Sequence, residues 1–201
     1  MKSTSVNCVI LGHRDFTEND KLIFLYTEEF GKIKVIAKGG RKITSKFTGH
    51  VETLNFAMAE IYFGPKNIIL KEIITIKNFK KIRDNLERLS AAIQIAEITN
   101  HLLYEGQKLD NLMGLLTDTL QQLSTSTKPA LTSQAYMIKI LDQSGLVPDF
   151  KNIISNLDQK YLKFFHYLQT QPLNAIDKIN VTEKENETIN LVIKKIINYN
   201  S

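Results

Sequence analysis

One cysteine in 201 residues, Cys8, leaves this chain unable to close a disulfide within itself or to build a multi-cysteine metal site. Its setting, Asn7-Cys8-Val9-Ile10-Leu11, reads as a strand, where a lone thiol behaves as a small core residue rather than a nucleophile. The four histidines, His13, His50, His101 and His166, are scattered and form neither an H-x-x-x-H nor an H-E-x-x-H pair. Gly39-Gly40-Arg41-Lys42 has neither the length nor the G-K-[ST] ending of a phosphate-cradling P-loop. No stretch approaches the roughly eighteen uninterrupted apolar residues of a membrane-spanning helix. The N-terminal apolar run is too short for a secretory leader. These absences lead to the expectation of a cytoplasmic protein with no catalytic site and no cofactor.

Acidic residues are missing from one stretch in particular. Between Lys32 and Lys46 the chain carries six basic residues (Lys32, Lys34, Lys38, Arg41, Lys42 and Lys46) and no acid. Residues 1–80 hold 13 Lys/Arg against 8 Asp/Glu, and residues 81–201 hold 13 against 13, so the whole net charge of +5 belongs to the first part. Six like charges so close together repel one another unless a polyanion screens them. Lys32, Lys34 and Lys38 fall at even positions of an alternating strand and are expected on one face, with Ile33, Val35 and Ala37 facing a core. The bland alternative is a solvated strand edge whose lysines block aggregation. Nucleic acid is the partner this charge pattern points to.

Five strand-like segments precede residue 80: Val6–Leu11, Leu22–Thr27, Gly31–Ala37, Leu54–Tyr62 and Ile68–Ile76. They are rich in Ile, Val, Phe and Tyr and are punctuated by Asn19-Asp20, Phe30-Gly31, Gly39-Gly40 and Gly64-Pro65. Such a set suits a small closed barrel of the OB type. After Phe79 the period changes to that of helices. The expected order is a helix opened by Asp84 and Glu87 as a capping box, with Leu86, Leu89, Ile93, Ala96 and Leu103 on one stripe, then Asp110–Leu123, then Pro129 to about Asp142, Asp158–Leu168 and Thr182–Tyr199. The fold class is therefore α+β, a barrel over residues 1–80 followed by a helical domain over residues 81–201.

Within this frame the expected DNA-binding residues are Arg14, Lys32, Lys34, Lys38, Arg41, Lys42 and Lys46. Gly39-Gly40 is expected to act as a hinge that lets Arg41 and Lys42 reach phosphates. Phe47, Tyr62 and Phe63 are candidates for stacking on bases, with core packing as the plainer role. Asp15, Glu18 and Asp20 form the one acidic cluster near the basic run; turn and capping chemistry is the plain reading, and Mg²⁺ ligation in a nuclease the sharper one. An RNA-binding OB module is a further alternative, since charge does not separate RNA from DNA.

The order of features resembles the RecO family of bacterial recombination mediators. The matching residues are Val9-Ile10-Leu11, Arg14-Asp15, Glu18 and Asp20, then Thr27-Glu28-x-x-Gly31-Lys32 and Ala37-Lys38-Gly39-Gly40-Arg41-Lys42. Ser45-Lys46-Phe47 and Tyr62-x-Gly64-Pro65 follow. The helical half adds Leu86-x-x-Leu89, Glu105-Gly106 and Tyr136 through Leu141 to Gly145-Leu146-Val147-Pro148, and residues 160–197 look like the family's last helices. The resemblance implies an OB-fold and a helical domain, binding of single- and double-stranded DNA, and annealing of complementary strands. It also implies cooperation with RecR, RecF and the single-strand-binding protein in placing RecA on DNA, at the nucleoid. The family usually carries a four-cysteine zinc module after the Gly-Leu-Val-Pro segment. Here the chain reads D-F-K-N-I-I-S-N-L-D at that point, and Cys8 alone cannot build such a site.

Overall fold

The computed structural model describes residues 3–146 and 158–199. The five expected strands are present as β1 (Ser3–Asp15), β2 (Lys21–Thr27), β3 (Gly31–Ala37), β4 (Phe56–Phe63) and β5 (Ile68–Lys77). They close in the order β1-β2-β3-β5-β4, with β3 and β5 parallel at Val35↔Ile68 and Ile36↔Ile69 and every other pair antiparallel. Closure depends on the length of β1. Its first half pairs with β4 (Ser3↔Tyr62 to Val9↔Phe56) and its second with β2 (Cys8↔Thr27 to Asp15↔Lys21). An irregularity between Ile10 and Gly12 lets the strand turn from one neighbour to the other. This is the OB-type ring that the sequence pattern predicts, and closing it removes the exposed edges an open sheet would leave.

Alternation fills the ring. Val6, Cys8 and Ile10 of β1 meet Ile23 and Leu25 of β2, Ile33, Val35 and Ala37 of β3, Ala57, Ala59 and Ile61 of β4, and Leu70 and Ile73 of β5. Burying a side chain of Val, Leu or Ile size contributes about 1.5–3 kcal/mol each. Cys8 is fully buried here, and burial, aided by the charge of Glu29, pushes its thiol up to about 12. The expected core role of this cysteine follows from that geometry.

The helices are α1 (Lys80–Arg83), α2 (Leu86–Leu102), α3 (Leu112–Leu123), α4 (Pro129–Gln143), α5 (Gln159–Thr170), α6 (Leu173–Ile176) and α7 (Glu183–Tyr199). None of the described helices is long and apolar enough to cross a membrane. The chain divides into two compact units, and the division is not a single cut after residue 80. The first unit comprises residues 1–80 together with 96–117, and the second residues 81–95 together with 118–201. Residues 96–117 join the barrel because their backbone bonds to it. Lys32 N donates to Gln107 O (3.1 Å), Gly106 N donates to Lys32 O (2.7 Å), and the Tyr26 hydroxyl donates to Leu109 O (3.2 Å).

In the second unit α4 is the most enclosed helix, with Leu131, Ala135, Tyr136, Ile138, Ile140 and Leu141 buried and Met137 half-buried. Pro129 opens it at the first turn, as expected. Leu168 of α5 and Ile176 of α6 pack on Leu131 and Ala135. The Thr182–Glu185 capping box at α7 forms as the sequence predicts: Thr182 N donates to Glu185 Oε2 (2.9 Å), and Glu185 N donates to Thr182 Oγ1 (3.3 Å). Asp158 caps α5 by accepting from Lys160 N (3.0 Å).

The first long helix departs from expectation. Asn85, not Asp84, caps α2, accepting from Arg88 N at 2.9 Å. Leu86 is 81% exposed, while Ala91, Ala92, Ile95, Ala96 and Ile98 are buried. Of the expected stripe, Ala96 and Leu103 are buried while Leu86 and Ile93 are exposed, so the buried face departs from the expected line in the first half of the helix. The segment from Val147 through the point where a zinc module would follow lies outside the described residues.

Candidate nucleic-acid interface

The basic stretch spans β3 and the long connection to β4, and the structure separates its six cations into three groups. Lys32 stands apart. Only 8% exposed, it turns its ammonium onto the end of α2, donating to Leu103 O (2.8 Å) and to Asn100 O. Cations are favoured there because the last carbonyls of a helix have no intrahelical donor. Burial lowers the Lys32 pKa, the neighbouring charge of Lys34 lowers it further, and Glu105 opposes both. The Lys32 ammonium, expected at a phosphate, is in this structure bonded to carbonyls of the first unit. Strand alternation puts Lys32 on the outer face, as predicted, but residues 103–109 cover that face.

Lys34 and Arg41 form the second group, partly exposed and each held by a carboxylate. Lys34 Nζ lies 2.9 Å from Glu105 Oε2. Arg41 Nη2 lies 3.1 Å from Asp15 Oδ2, and its Nη1 donates to Thr17 O at 2.8 Å. Exposed pairs of this kind are worth about 0.2–1 kcal/mol, so a stronger anion competes for either cation.

Lys38, Lys42 and Lys46 form the third group, with Arg14 at the far end of β1. All four are exposed, and none makes an ion pair among the described residues. Lys46 lies over the ring of its neighbour Phe47, 5.5 Å from the centroid.

The connection that carries these lysines is tightly built. Successive turns run along it: Gly40 N to Ala37 O (3.1 Å), Lys42 N to Gly39 O (3.1 Å), Ser45 N to Lys42 O (2.9 Å) and Thr48 N to Ser45 O (3.1 Å). Phe47 and Val51 are buried in the barrel core and anchor its middle. Asn55 Nδ2 donates to Gly49 O (3.0 Å) and His50 O (3.2 Å), and Thr75 N of β5 donates to His50 Nδ1 (3.2 Å). The β1–β2 loop is fastened beside it. Gly39 N donates to Asp20 Oδ1 (2.8 Å) and Arg41 N to Asn19 O (3.0 Å).

One sequence expectation changes in this light, and at two further places the plainer of the two readings is the one the structure has. Gly39-Gly40 is a close turn rather than a hinge, because a Cβ on Gly40 would stand 2.9 Å from Ala37 O and 3.3 Å from Lys21 Cβ. Phe47 is a core residue, and Phe63 packs on Phe30 with centroids 5.0 Å apart and against the barrel core. Asp15 and Asp20, two of the carboxylates considered for Mg²⁺, hold the two loops together instead, which is the turn chemistry weighed against that reading.

Two features carried no local signal. Lys32 finds its partners 68 and 71 positions downstream, and Lys34 finds Glu105 beyond two intervening strands and two helices. Ile43, at the crest of the connection, is 100% exposed. Its place among basic residues was visible in the sequence, but its lack of any packing was not.

The chain has counterparts among known proteins. Residues 1–79 match a family model described as Recombination protein O N terminal, and residues 83–156 match one described as Recombination protein O C terminal. The DNA repair protein RecO of Syntrophobacter fumaroxidans is 30% identical over 154 residues, covering 76% of this chain and 61% of that protein. The RecO of a Roseiflexus species is 30% identical over 70% of this chain and 49% of its own length. That of Alkaliphilus metalliredigens is 23% identical over 94% of this chain and 89% of its own. The chain spans about half to three-fifths of the length of the first two.

Proposed function

The chain belongs to the RecO family of DNA repair proteins, and on that premise we propose that it is a non-enzymatic, DNA-binding recombination mediator. Its first unit would grip phosphodiester chains through Lys38, Lys42, Lys46 and Arg14, with Lys34 and Arg41 exchanging their carboxylates for phosphates on contact. The observation that supports this reading is three exposed lysines, Lys38, Lys42 and Lys46, with no ion pair among the described residues, on an acid-free run of a connection held by successive backbone turns. Lysine reads phosphate as a point charge, so the grip is independent of base sequence.

Annealing follows from the same charge. Two complementary strands must bring their phosphates together, and a cationic surface lowers that repulsion while base edges stay free to pair. In this proposal single- and double-stranded DNA are both ligands. RecR, RecF, the single-strand-binding protein and RecA are the protein partners, and the site of action is the nucleoid in the cytoplasm. The family resemblance supports those partners; no surface of the second unit is assigned to any of them.

Lys42→Glu with Lys46→Glu is expected to abolish annealing of complementary oligonucleotides and to weaken single-strand binding about twentyfold near 0.1 M salt, from about 0.7 log unit per lost contact. Stopped-flow annealing and fluorescence anisotropy read both. A doubly reversed protein that anneals DNA like the parent overturns the proposal. Annealing confined to RNA strands would replace it with the RNA-binding alternative.

A further inference from the structure

The same connection displays an apolar side chain that the phosphate grip does not use. Ile43 has its whole side chain in solvent, the extreme among the large hydrophobic residues described. It is fixed in place on both sides: the Ser45 N to Lys42 O bond (2.9 Å) closes a turn with Ile43 and Thr44 at its corner, Arg41 is tied to Thr17 and Asn19, and Phe47 is buried. A β-branched side chain at the tip of a rigid turn is held there at little further conformational cost. The β1–β2 loop, tied to the same connection at Gly39 and Arg41, presents Phe16, 48% exposed.

We propose that Ile43 is a wedge that enters between neighbouring bases of a bound DNA strand and unstacks one step. This rests on the phosphate-binding reading of the connection and deepens it. Lys42 and Lys46 flank Ile43 in sequence, so a strand whose phosphates they hold runs across the Ile43 tip. Aliphatic side chains offered from a cationic surface are the type that intercalate, and burying the side chain between base faces offsets the stacking lost. One side chain suffices for a base step. A protein groove would need a broader apolar face, and an anionic membrane needs more than one anchoring signal. For annealing the consequence is direct: a strand whose stacking is interrupted at the protein offers splayed bases to its complement.

The test uses the full chain and oligonucleotides carrying a fluorescent adenine analogue that is quenched by stacking. Binding of the unsubstituted protein should raise its emission, and Ile43→Leu should keep the rise. Ile43→Ser should lose the rise while keeping the salt dependence of binding. A rise that persists in Ile43→Ser overturns the wedge and leaves the phosphate grip standing; absence of salt-dependent DNA binding by the unsubstituted protein overturns both. Ile43-dependent capture by anionic vesicles, with no emission change on DNA, also overturns the wedge and assigns the tip to a membrane surface.

Discussion

Gly31→Ala is expected to lower the stability of the protein by about 3 kcal/mol. Gly31 has φ +63°, in the left-handed region that costs an L-residue with a Cβ. The added methyl would also meet Gln107 O at 2.1 Å and Lys108 N at 2.8 Å. Both contacts are backbone, so relief requires moving the whole segment that lies across β3. That movement would break the pair of bonds between Lys32 and residues 106–107, and it would disturb the β2–β3 turn that Thr27 Oγ1 fastens to Gly31 O at 3.0 Å. Gly39→Ala is the control. It shares a positive φ of +70°, but its Cβ would find only Lys42 Cδ at 3.8 Å, and it should cost about 1 kcal/mol. Urea titration reads both as shifts in midpoint at unchanged slope. Equal losses for the two would mean that residues 103–109 do not press on the barrel.

Lys32→Ala should cost about 2–3 kcal/mol while leaving the salt dependence of DNA binding as it was. The substitution removes the donor to Asn100 O and Leu103 O and leaves those carbonyls buried without it. Lys34→Ala loses only an exposed pair with Glu105 and should fall within about 1 kcal/mol. The pH dependence has a definite sign. Because the folded state lowers the Lys32 pKa, the unfolded chain binds more protons between that lowered value and 10.5. Stability contributed at this site therefore rises with pH through that alkaline window, and Lys32→Met should flatten the rise. A Lys32→Ala protein of parental stability with a shallower salt slope would return Lys32 to the phosphate surface.

The strand boundaries were legible because alternation and turn residues are local. β3 runs from Gly31 to Ala37 as its pattern predicts, and the Thr182–Glu185 box opens α7 where its spacing places it. The fate of Lys32 was hidden because it depends on what crosses the outer face of β3, and that segment lies some seventy residues downstream. The Asp84 cap failed for a smaller reason: two adjacent cap-forming residues compete, and Asn85 takes the bond. The partition of the chain was hidden likewise. A switch from strand to helix period at residue 80 marks where the pattern changes, while residues 96–117 add themselves to the barrel through backbone bonds that no side-chain pattern announces. At the candidate site the charge was readable and its distribution was not. One contiguous row in the sequence becomes one buried latch, two carboxylate-held cations and three lysines with no ion pair among the described residues.

The central claim, that those three lysines hold phosphates, is tested most directly by the salt dependence of single-strand binding. Replacing Lys38, Lys42 and Lys46 together by alanine should reduce the slope of log K against log salt by about 2, at about 0.7 for each lost phosphate contact, with thermal stability unchanged. A triple variant whose slope matches the parent's contradicts the account.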